Sequence, residues 1–194
     1  MQRPLPDNRW YLVMTNLLYP AVLGTILYTF GDEAWKHRAM PIAEIQTEAA
    51  LLGLALVVLF SFDYAYTLTD NGNRDYGPWQ FSLDGLALLL LFLAGKAILD
   101  VNAPEWAWLP VLLLAVRLSA LLYEISRLPK SRSSASAVKA WRSYESDAYL
   151  VLVYLVVASL WLLAPGAWPW ALVAAMLVDA ACYLKRIDRR EGDD

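Results

Sequence analysis

Six long apolar segments constrain this chain more than any other feature. A helix needs about 20 apolar residues to cross a hydrocarbon core of about 30 Å. Apolar residues make up 59% of the sequence, against roughly half in a soluble domain. The runs lack the alternation of a barrel strand, so helices must satisfy the backbone. The sequence therefore predicts an all-α polytopic membrane protein with six transmembrane helices: Trp10 to Phe30, Ala49 to Leu68, Trp79 to Leu99, Trp106 to Ile125, Ala148 to Ala164 and Trp168 to Leu184.

The spacing of these segments divides the chain into three parts. Residues 1–126 hold the first four segments and are predicted to form a four-helix bundle. Residues 127–147 form a basic, serine-rich cytoplasmic linker, and residues 148–194 form a two-helix hairpin with a basic tail. Three residues of the linker recur at a helical spacing, which fits either a short helix on the inner membrane surface or a flexible linker: Val138, Trp141 and Tyr144.

Basic residues are distributed unequally between the predicted loops, and this sets the orientation. Cytoplasmic loops carry the excess of Lys and Arg. With the N-terminus inside, only Lys36 and Arg38 lie outside, and six spans return the C-terminus to the cytoplasm. The predicted location is the inner (plasma) membrane of a bacterium. The residues assigned to the cytoplasmic side are Arg3, Arg9, Arg74, Arg127, Lys130, Arg132, Lys139, Arg142, Lys185, Arg186, Arg189 and Arg190.

The scarcity of cysteine and histidine excludes several kinds of site. Cys182 is the only cysteine, so the chain forms neither an internal disulfide nor a thiolate metal cage. His37 is the only histidine and lies in a predicted external loop, which excludes a bis-histidine haem. No cofactor, metal or catalytic residue is expected, and nucleic acid is not an expected partner. The expected partners are the lipid bilayer and, in an oligomer or complex, other membrane subunits.

Four of the charged residues within the predicted spans are candidate functional residues. An ionisable side chain in hydrocarbon costs roughly 3 kcal/mol or more, so it marks a site by default. Asp63, Asp84 and Asp179 lie about 7 Å from the inner ends of their spans, at a rise of about 1.5 Å per residue. Arg117 lies about one turn higher, and its long side chain can extend toward a carboxylate. We predict that Arg117 pairs with Asp63 or Asp84.

Phe60 and Asp63 lie near the cytoplasmic end of the second predicted span, and Asp84 lies near the start of the third. In type, order and topology they resemble the voltage-sensor domain of the ion-channel superfamily over about the first 130 residues. In that family an aromatic residue and two acids form a charge-transfer centre that receives arginines from the fourth helix. The resemblance implies that Arg117 is the received charge. Steep voltage gating is not expected, because the positions that would repeat a basic residue are Ala120, Tyr123 and Ser126.

The charged residues support three classes of function. The first is a cation or proton channel, in which the path or charge-transfer site consists of Phe60, Asp63, Asp84, Arg117 and Asp179. The second is a non-catalytic structural or regulatory subunit of a membrane complex, in which the charges hold helices together. The third is a membrane enzyme with a carboxylate site, but no nucleophile and base pair or phosphate-binding glycine motif accompanies the acids. The sequence favours ion conduction by an oligomer.

Asp179 also continues a stripe of small residues on the sixth predicted span. Ala171, Ala175 and Asp179 recur at positions i, i+4 and i+8, which places them on one helix face. Such a stripe fits an acidic ring in an oligomeric pore, and it equally fits a close helix-packing face.

Overall fold

Every element that the structure describes is a helix or a helical turn. The computed structural model describes residues 9–36, 47–69, 76–99, 104–126, 135–164 and 168–191. A π-helical turn, Met14–Leu18, joins the first two α-helices, and a 3-10 turn, Pro104–Trp108, precedes the fifth. The predicted all-α class is confirmed for this part of the chain. The α-helices are α1 (Arg9–Val13), α2 (Tyr19–Lys36), α3 (Thr47–Thr69), α4 (Pro78–Leu99), α5 (Leu109–Ser126), α6 (Ala135–Leu163) and α7 (Pro169–Glu191).

Five helical stretches among the described residues are long and apolar enough to cross a membrane. They match the first five predicted spans within a few residues: Trp10–Asp32, Glu48–Leu68, Pro78–Leu99, Trp106–Ser126 and Tyr144–Leu163. The sixth predicted span falls in α7, where only 16 residues run from Pro169 to Leu184 and Asp179 lies among them. Length and composition therefore support five candidate spans, and the sixth stays a prediction.

Local sequence signals explain where several helices begin and end. Helices α4 and α7 start at Pro78 and Pro169. Proline suits the first helical position because its φ is already helical and its missing N–H would be unpaired there anyway. Helix α2 ends at Lys36, whose Nζ lies 2.7 Å from a carboxylate oxygen of Asp32. A cation in the last turn interacts favourably with the helix dipole.

Two tyrosine hydroxyls fasten the N-terminal part of the first span to α3. Tyr11 donates to the carbonyl of Thr67 at 3.2 Å, and Tyr64 donates to the carbonyl of Thr15 at 3.0 Å. Thr15 lies in the π turn and is buried. A π turn replaces the regular i to i+4 hydrogen bonds by i to i+5 bonds. Both tyrosine bonds therefore fix the helix around its irregular turn.

The helices enclose one core. Helix α3 packs along α7, α4 packs along α5, and α5 packs along α6, while α2 lies against α3 and α4. The two helices of the predicted hairpin thus pack in the same bundle as the first four helices. The predicted boundaries at residues 126 and 147 mark segments along the sequence. The largest fully buried apolar side chains include Leu52, Leu56, Phe60, Leu91, Leu113, Tyr154, Trp161, Leu172 and Met176.

The segment predicted as a cytoplasmic linker is helical from Ala135 onward. Helix α6 is one element of 29 residues, so residues 135–147 continue directly into the fifth span. Its length is about 44 Å, which exceeds a hydrocarbon core of about 30 Å. The first turns of α6 therefore project past the membrane. Residues 127–134 of the predicted linker, and the predicted external loop with His37 and Arg38, lie outside the described residues.

Candidate functional site

A polar cavity of about 70 Å³ lies inside the bundle. This volume holds several water molecules. Its lining comes from α1, the first residue of α2, the residues around the start of α4, the last turns of α3 and α7, the second half of α5, and the part of α6 where the fifth span begins. Successive spans cross in opposite directions, so all of these ends belong to one face, the one predicted to be cytoplasmic. The cavity is therefore one-sided.

Charged groups and tyrosines dominate the lining of this cavity. Among the residues that the structure describes, four carboxylates and two guanidinium groups line it, and these six groups together carry a negative formal charge when all are ionised. The carboxylates belong to Asp63, Asp84, Glu124 and Asp147, and the guanidinium groups belong to Arg117 and Arg186. The tyrosines are Tyr11, Tyr19, Tyr66, Tyr76, Tyr123 and Tyr183. A concave site lined by an excess of one sign concentrates ions of the opposite sign, here cations.

Arg117 is held by Asp179 rather than by either predicted partner. Its Nε and Nη2 donate to the two carboxylate oxygens of Asp179. Its Nη1 donates to the hydroxyl of Tyr183 at 2.9 Å, and only 3% of the residue is exposed. The prediction that Asp63 or Asp84 pairs directly with Arg117 is therefore wrong. Helix α7 supplies the carboxylate that binds the guanidinium group. Asp63 and Asp84 line the same cavity as Arg117 but do not pair with it.

Charges of alternating sign continue from Arg117 toward the end of α7. Nη1 of Arg117 lies 3.9 Å from an oxygen of Asp147. Arg186 donates two hydrogen bonds to Asp147, at 2.9 and 3.2 Å. The hydroxyl of Tyr154 donates to Asp179 at 3.2 Å. Asp179, Arg117, Asp147 and Arg186 form what we term the charge ladder, which joins α5, α6 and α7 and carries no net charge.

Arg186 lies at the end of the charge ladder, beyond the predicted sixth span. Burial alone would lower its pKa, but the charge and hydrogen bonds of Asp147 outweigh burial and raise the pKa above its ordinary value. The guanidinium carbon also lies 5.9 Å from the ring centres of Tyr66 and Tyr183. Arg186 therefore remains charged at any physiological pH.

Asp179 is fully buried within a single chain. Both of its carboxylate oxygens accept hydrogen bonds from Arg117, on α5. On the same stripe Ala175 is buried, and Ala171 is partly buried against the core. The stripe is therefore a helix-packing face inside the bundle. An acidic ring between chains does not fit this position, because the carboxylate points into its own chain.

Asp63 is held by a hydroxyl. The hydroxyl of Tyr19 donates to Oδ2 of Asp63 at 3.0 Å, and Asp63 remains partly exposed. Within the described ranges no basic side chain forms an ion pair with this carboxylate. Asp63 thus keeps accessible surface in the cavity and lacks the guanidinium partner that Asp179 has.

Asp84 also accepts a tyrosine hydroxyl. Tyr76 lies just before α4 begins, and its hydroxyl is 2.6 Å from Oδ2 of Asp84. Burial raises the pKa of Tyr76 above its ordinary value, and the charge and hydrogen bond of Asp84 raise it further. The ring of Tyr11 meets that of Tyr76 edge-on at 5.6 Å. Tyr76 therefore stays protonated and remains a donor to the carboxylate.

Phe60 lies beside the cavity and does not line it. It is fully buried, and its ring centre lies 5.6 Å from that of Tyr19. Of the five predicted site residues, the structure thus places three in the cavity wall and two against wall residues. The first three are Asp63, Asp84 and Arg117, and the other two are Phe60 and Asp179.

The core between the cavity and the other face of the bundle is apolar. Fully buried side chains lie one or more turns closer to that face than the cavity acids do. They include Leu56 in α3, Leu91 in α4, Leu113 in α5, Trp161 in α6 and Leu172 in α7. In the described part of the chain the polar cavity therefore ends near Arg117.

Several residues of the site were missed by sequence reasoning. Tyr183 and Arg186 follow the predicted site residue Asp179 at i+4 and i+7, which places all three on one helix face. This signal would have identified the α7 part of the site. Tyr19 and Tyr76 carry no such signal, because each contacts an acid that only packing brings close. Among the residues described, no group of three or more His, Cys, Asp or Glu side chains is placed to hold a metal ion.

Comparisons with known proteins provide no further guide to the site. No family model, curated protein or solved structure matches this chain. Its function must therefore be argued from the cavity, its charges and their partners.

Proposed function

We propose that this chain is an integral membrane protein that conducts protons or small cations, with the polar cavity as the entrance from one face. The observation that carries the proposal is Asp63. It is an ionisable carboxylate within a candidate span, it lines the cavity, and it is held by the hydroxyl of Tyr19. An acid retained at such a depth is costly and marks an ion or proton site by default. Without a guanidinium partner, the carboxylate is available to a proton or cation from the cavity.

The charge balance of the cavity supports cations over anions as the conducted species. The described part of its lining contains twice as many carboxylates as guanidinium groups. Arg117 and Arg186 are each bound by an acid, which reduces their attraction for a free anion. Rings and patches of acidic side chains favour cations in channels. The proposed substrate is therefore a proton or a small cation.

The apolar core beyond Arg117 corresponds to a closed state in this proposal. An apolar constriction closes a path by excluding water. Conduction then requires a movement that extends the hydrated region past the charge ladder. If the voltage-sensor resemblance holds, Arg117 is the moving charge. One charge crossing the whole field gains about 2.3 kcal/mol per 100 mV, so voltage alone would bias this movement only weakly.

The proposal includes six spans in a bacterial inner (plasma) membrane, with both termini in the cytoplasm. Helix α7 packs along α3, which supports the same membrane depth for both. The basic end of α7, with Lys185 and Arg186, belongs to the same face as the cavity, as expected for a cytoplasmic face. Assembly into a homo-oligomer or a larger membrane complex is part of the proposal, and no catalytic role is assigned.

Flux through reconstituted protein tests the proposal. In proteoliposomes with a pH gradient and a clamped membrane potential, we expect wild-type protein to pass protons or a monovalent cation. Asp63→Asn should lower the flux by roughly tenfold, the factor that corresponds to about 1.4 kcal/mol of lost ion stabilisation. The matched control is Asp32→Asn, which removes an exposed carboxylate outside the cavity. It should leave the flux unchanged.

Two results would contradict conduction through this cavity. The first is an absence of flux in the wild type at every voltage and pH, with native partners and any activating ligand present. The second is a normal flux in the Asp63→Asn variant, which would place the path elsewhere. Circular dichroism and size-exclusion profiles of each variant establish that loss of flux does not reflect loss of fold.

The charge ladder favours a second candidate function, a non-catalytic subunit of a membrane complex. Its two arginines and two aspartates pair with one another and tie α5, α6 and α7 together. Polar groups between membrane helices commonly serve this purpose. In that case the ladder stabilises the bundle and no flux exists to lose. Copurification of the native complex, combined with the flux measurement, separates the two functions.

A further inference from the structure

Tyr19 is fixed in place by the rings around it. Its ring stacks on that of Tyr64 at 5.4 Å with an interplanar angle of 19°. On another side it contacts Phe60, with ring centres 5.6 Å apart. Only 3% of Tyr19 is exposed, and it is the first residue after the π turn. The hydroxyl is therefore held in one position, 3.0 Å from Oδ2 of Asp63.

The other groups in the cavity act on Asp63 in opposing directions. Positive guanidinium groups favour the ionised carboxylate, and neighbouring acids disfavour it. From α4, α5, α6 and α7 the charged and titratable groups that share the cavity are Asp84, Arg117, Tyr123, Glu124, Asp147, Tyr183 and Arg186, and Tyr11, Tyr66 and Tyr76 line it from α1, α3 and the residues before α4. The Tyr183 hydroxyl also acts on Asp63 and favours its ionised form. The guanidinium groups of Arg117 and Arg186 are already bound by the charge ladder. The Tyr19 hydroxyl thus donates directly to Asp63, whereas the more distant charges in the cavity have opposing effects on the ionisation of this carboxylate.

We propose that Tyr19 is a positioning residue that stabilises the ionised form of Asp63 and thereby sets the pH at which this carboxylate takes up a proton. A hydrogen bond donated to a carboxylate favours its charged form. Removing the donor lets the acid hold its proton to higher pH. Bonds to charged groups are among the stronger hydrogen bonds, so the expected shift is about one pH unit or more. The consequence for flux rests on the proposed function, whereas the titration of Asp63 does not.

Chemical labelling of Asp63 measures this titration directly. An apolar carbodiimide, dicyclohexylcarbodiimide, reacts with protonated carboxyl groups inside membranes. The full-length protein in liposomes is labelled across a pH series, and mass spectrometry quantifies the modified peptide that contains Asp63. The Asp63→Asn variant gives the background. We expect the half-labelling pH of Tyr19→Phe to lie about one unit or more above that of the wild type.

Tyr64→Phe is the matched control. It removes a hydroxyl from the neighbouring, stacked ring, but that hydroxyl donates to the carbonyl of Thr15 and not to Asp63. Its half-labelling pH should equal that of the wild type. An equal shift in both variants would show that a general loosening of the ring cluster is responsible. No shift in Tyr19→Phe, or no labelling of Asp63 at any pH in the wild type, would also overturn the proposal.

A second modification keeps the ring and alters only the strength of the donor. Replacing Tyr19 by 3-fluorotyrosine makes the hydroxyl more acidic and a stronger donor, so the half-labelling pH should move below the wild-type value. This test remains available if Tyr19→Phe fails to fold, and an upward shift or no shift would contradict the proposal. If the half-labelling pH shifts as expected but the wild type shows no flux, the role of Tyr19 is retained and conduction is refuted. Wild-type flux together with an unchanged half-labelling pH in Tyr19→Phe would retain conduction and refute the role of Tyr19.

Discussion

At the scale of single residues, the site contains two kinds of acid. Asp147 and Asp179 are bound by guanidinium groups, whereas Asp63 and Asp84 accept tyrosine hydroxyls. A bound ion pair stabilises the bundle only as long as both members remain, because either one alone is an uncompensated buried charge. Asp63, which no described guanidinium group binds, can gain a proton without leaving such a charge. The two kinds therefore suit different roles.

We predict that Arg117 is coupled more strongly to Asp179, whose carboxylate it hydrogen-bonds, than to Asp63, on which it acts only through its charge. Arg117→Ala should lower the free energy of unfolding by roughly 3 to 5 kcal/mol, because it leaves Asp179 buried without its cation. Adding Asp179→Asn should recover part of this loss. Adding Asp63→Asn should recover much less, because Asp63 accepts no hydrogen bond from Arg117. Unfolding in detergent micelles, followed by circular dichroism, provides both double-mutant cycles.

These two cycles use the same arginine variant, so each serves as the control for the other. A large coupling to Asp63 and none to Asp179 would contradict the hydrogen bonds of the structure. It would restore the pairing expected from the voltage-sensor resemblance.

Sequence reasoning located the buried charges but not their pairing. Asp63, Asp84, Arg117 and Asp179 stand out because a charge within an apolar span is costly wherever it lies. Their partners depend on how each helix is rotated about its axis, and spacing along the chain does not determine this. Helix α7 turns Asp179 inward to Arg117, so the pairing could be established only once the helices were packed.

At the scale of helices, the contact between the first two spans depends on a glycine, Gly53, which has no side chain. A Cβ atom added at Gly53 would lie 2.7 Å from Cε1 of Phe30. Real carbon contacts are not that short, so the ring would have to move. At Gly24, on α2, an added Cβ would meet nothing within 4 Å. The same substitution should therefore have opposite effects at these two positions.

We predict that Gly53→Ala destabilises the protein by roughly 1 to 2 kcal/mol, because overpacking outweighs the gain in helix propensity. Gly24→Ala should be neutral or stabilise by up to about 1 kcal/mol. Thermal unfolding of the two variants in the same detergent makes the comparison. Equal transition temperatures would indicate that the Phe30 ring moves aside at no cost. The double variant Gly53→Ala, Phe30→Leu should recover part of the lost stability.

Helices were the most predictable level of the structure. Apolar runs such as the one ending at Leu99 are long enough that hydropathy alone locates them. The start of α6 at Ala135 was harder to predict, because its first turns are basic and rich in serine. The π turn at Met14–Leu18 leaves no signal in hydropathy. Irregular turns depend on contacts such as that between Tyr64 and Thr15, which form only in the folded bundle.

At the scale of the whole molecule, the number of spans decides on which side each end of α7 lies. The cavity draws on residues near one face of the bundle, and this arrangement agrees with the proposed sixth span, in which α7 crosses the membrane. A helix lying on one surface would keep Trp168 and Glu191 on the same side. Six spans would put these two residues on opposite sides. Topology can therefore be tested at the two ends of one helix.

We predict that, in a Cys182→Ser background, Lys36→Cys and Trp168→Cys react with an impermeant maleimide in intact cells. Glu191→Cys should react only after permeabilisation, because the basic asymmetry places the end of α7 in the cytoplasm. Labelling is read as a mass shift on a gel. Reaction of Glu191→Cys in intact cells would reverse the orientation if Trp168→Cys is protected. It would reduce the spans to five if both residues react.

The π turn of the first span sets the angle about the helix axis between Tyr11 and Tyr19, two tyrosines that line the cavity. Eight residues separate Tyr11 from Tyr19, and in a regular α-helix that spacing would turn them about 80° apart. A π turn absorbs one extra residue, which reduces the angle to about 20° and brings both rings to the same wall of the cavity. Adding one residue to the segment between Tyr11 and Tyr19 would hardly alter the hydropathy of the span. It would nevertheless rotate Tyr11 by about 100° relative to Tyr19, so the cavity depends on residue count as well as on residue type.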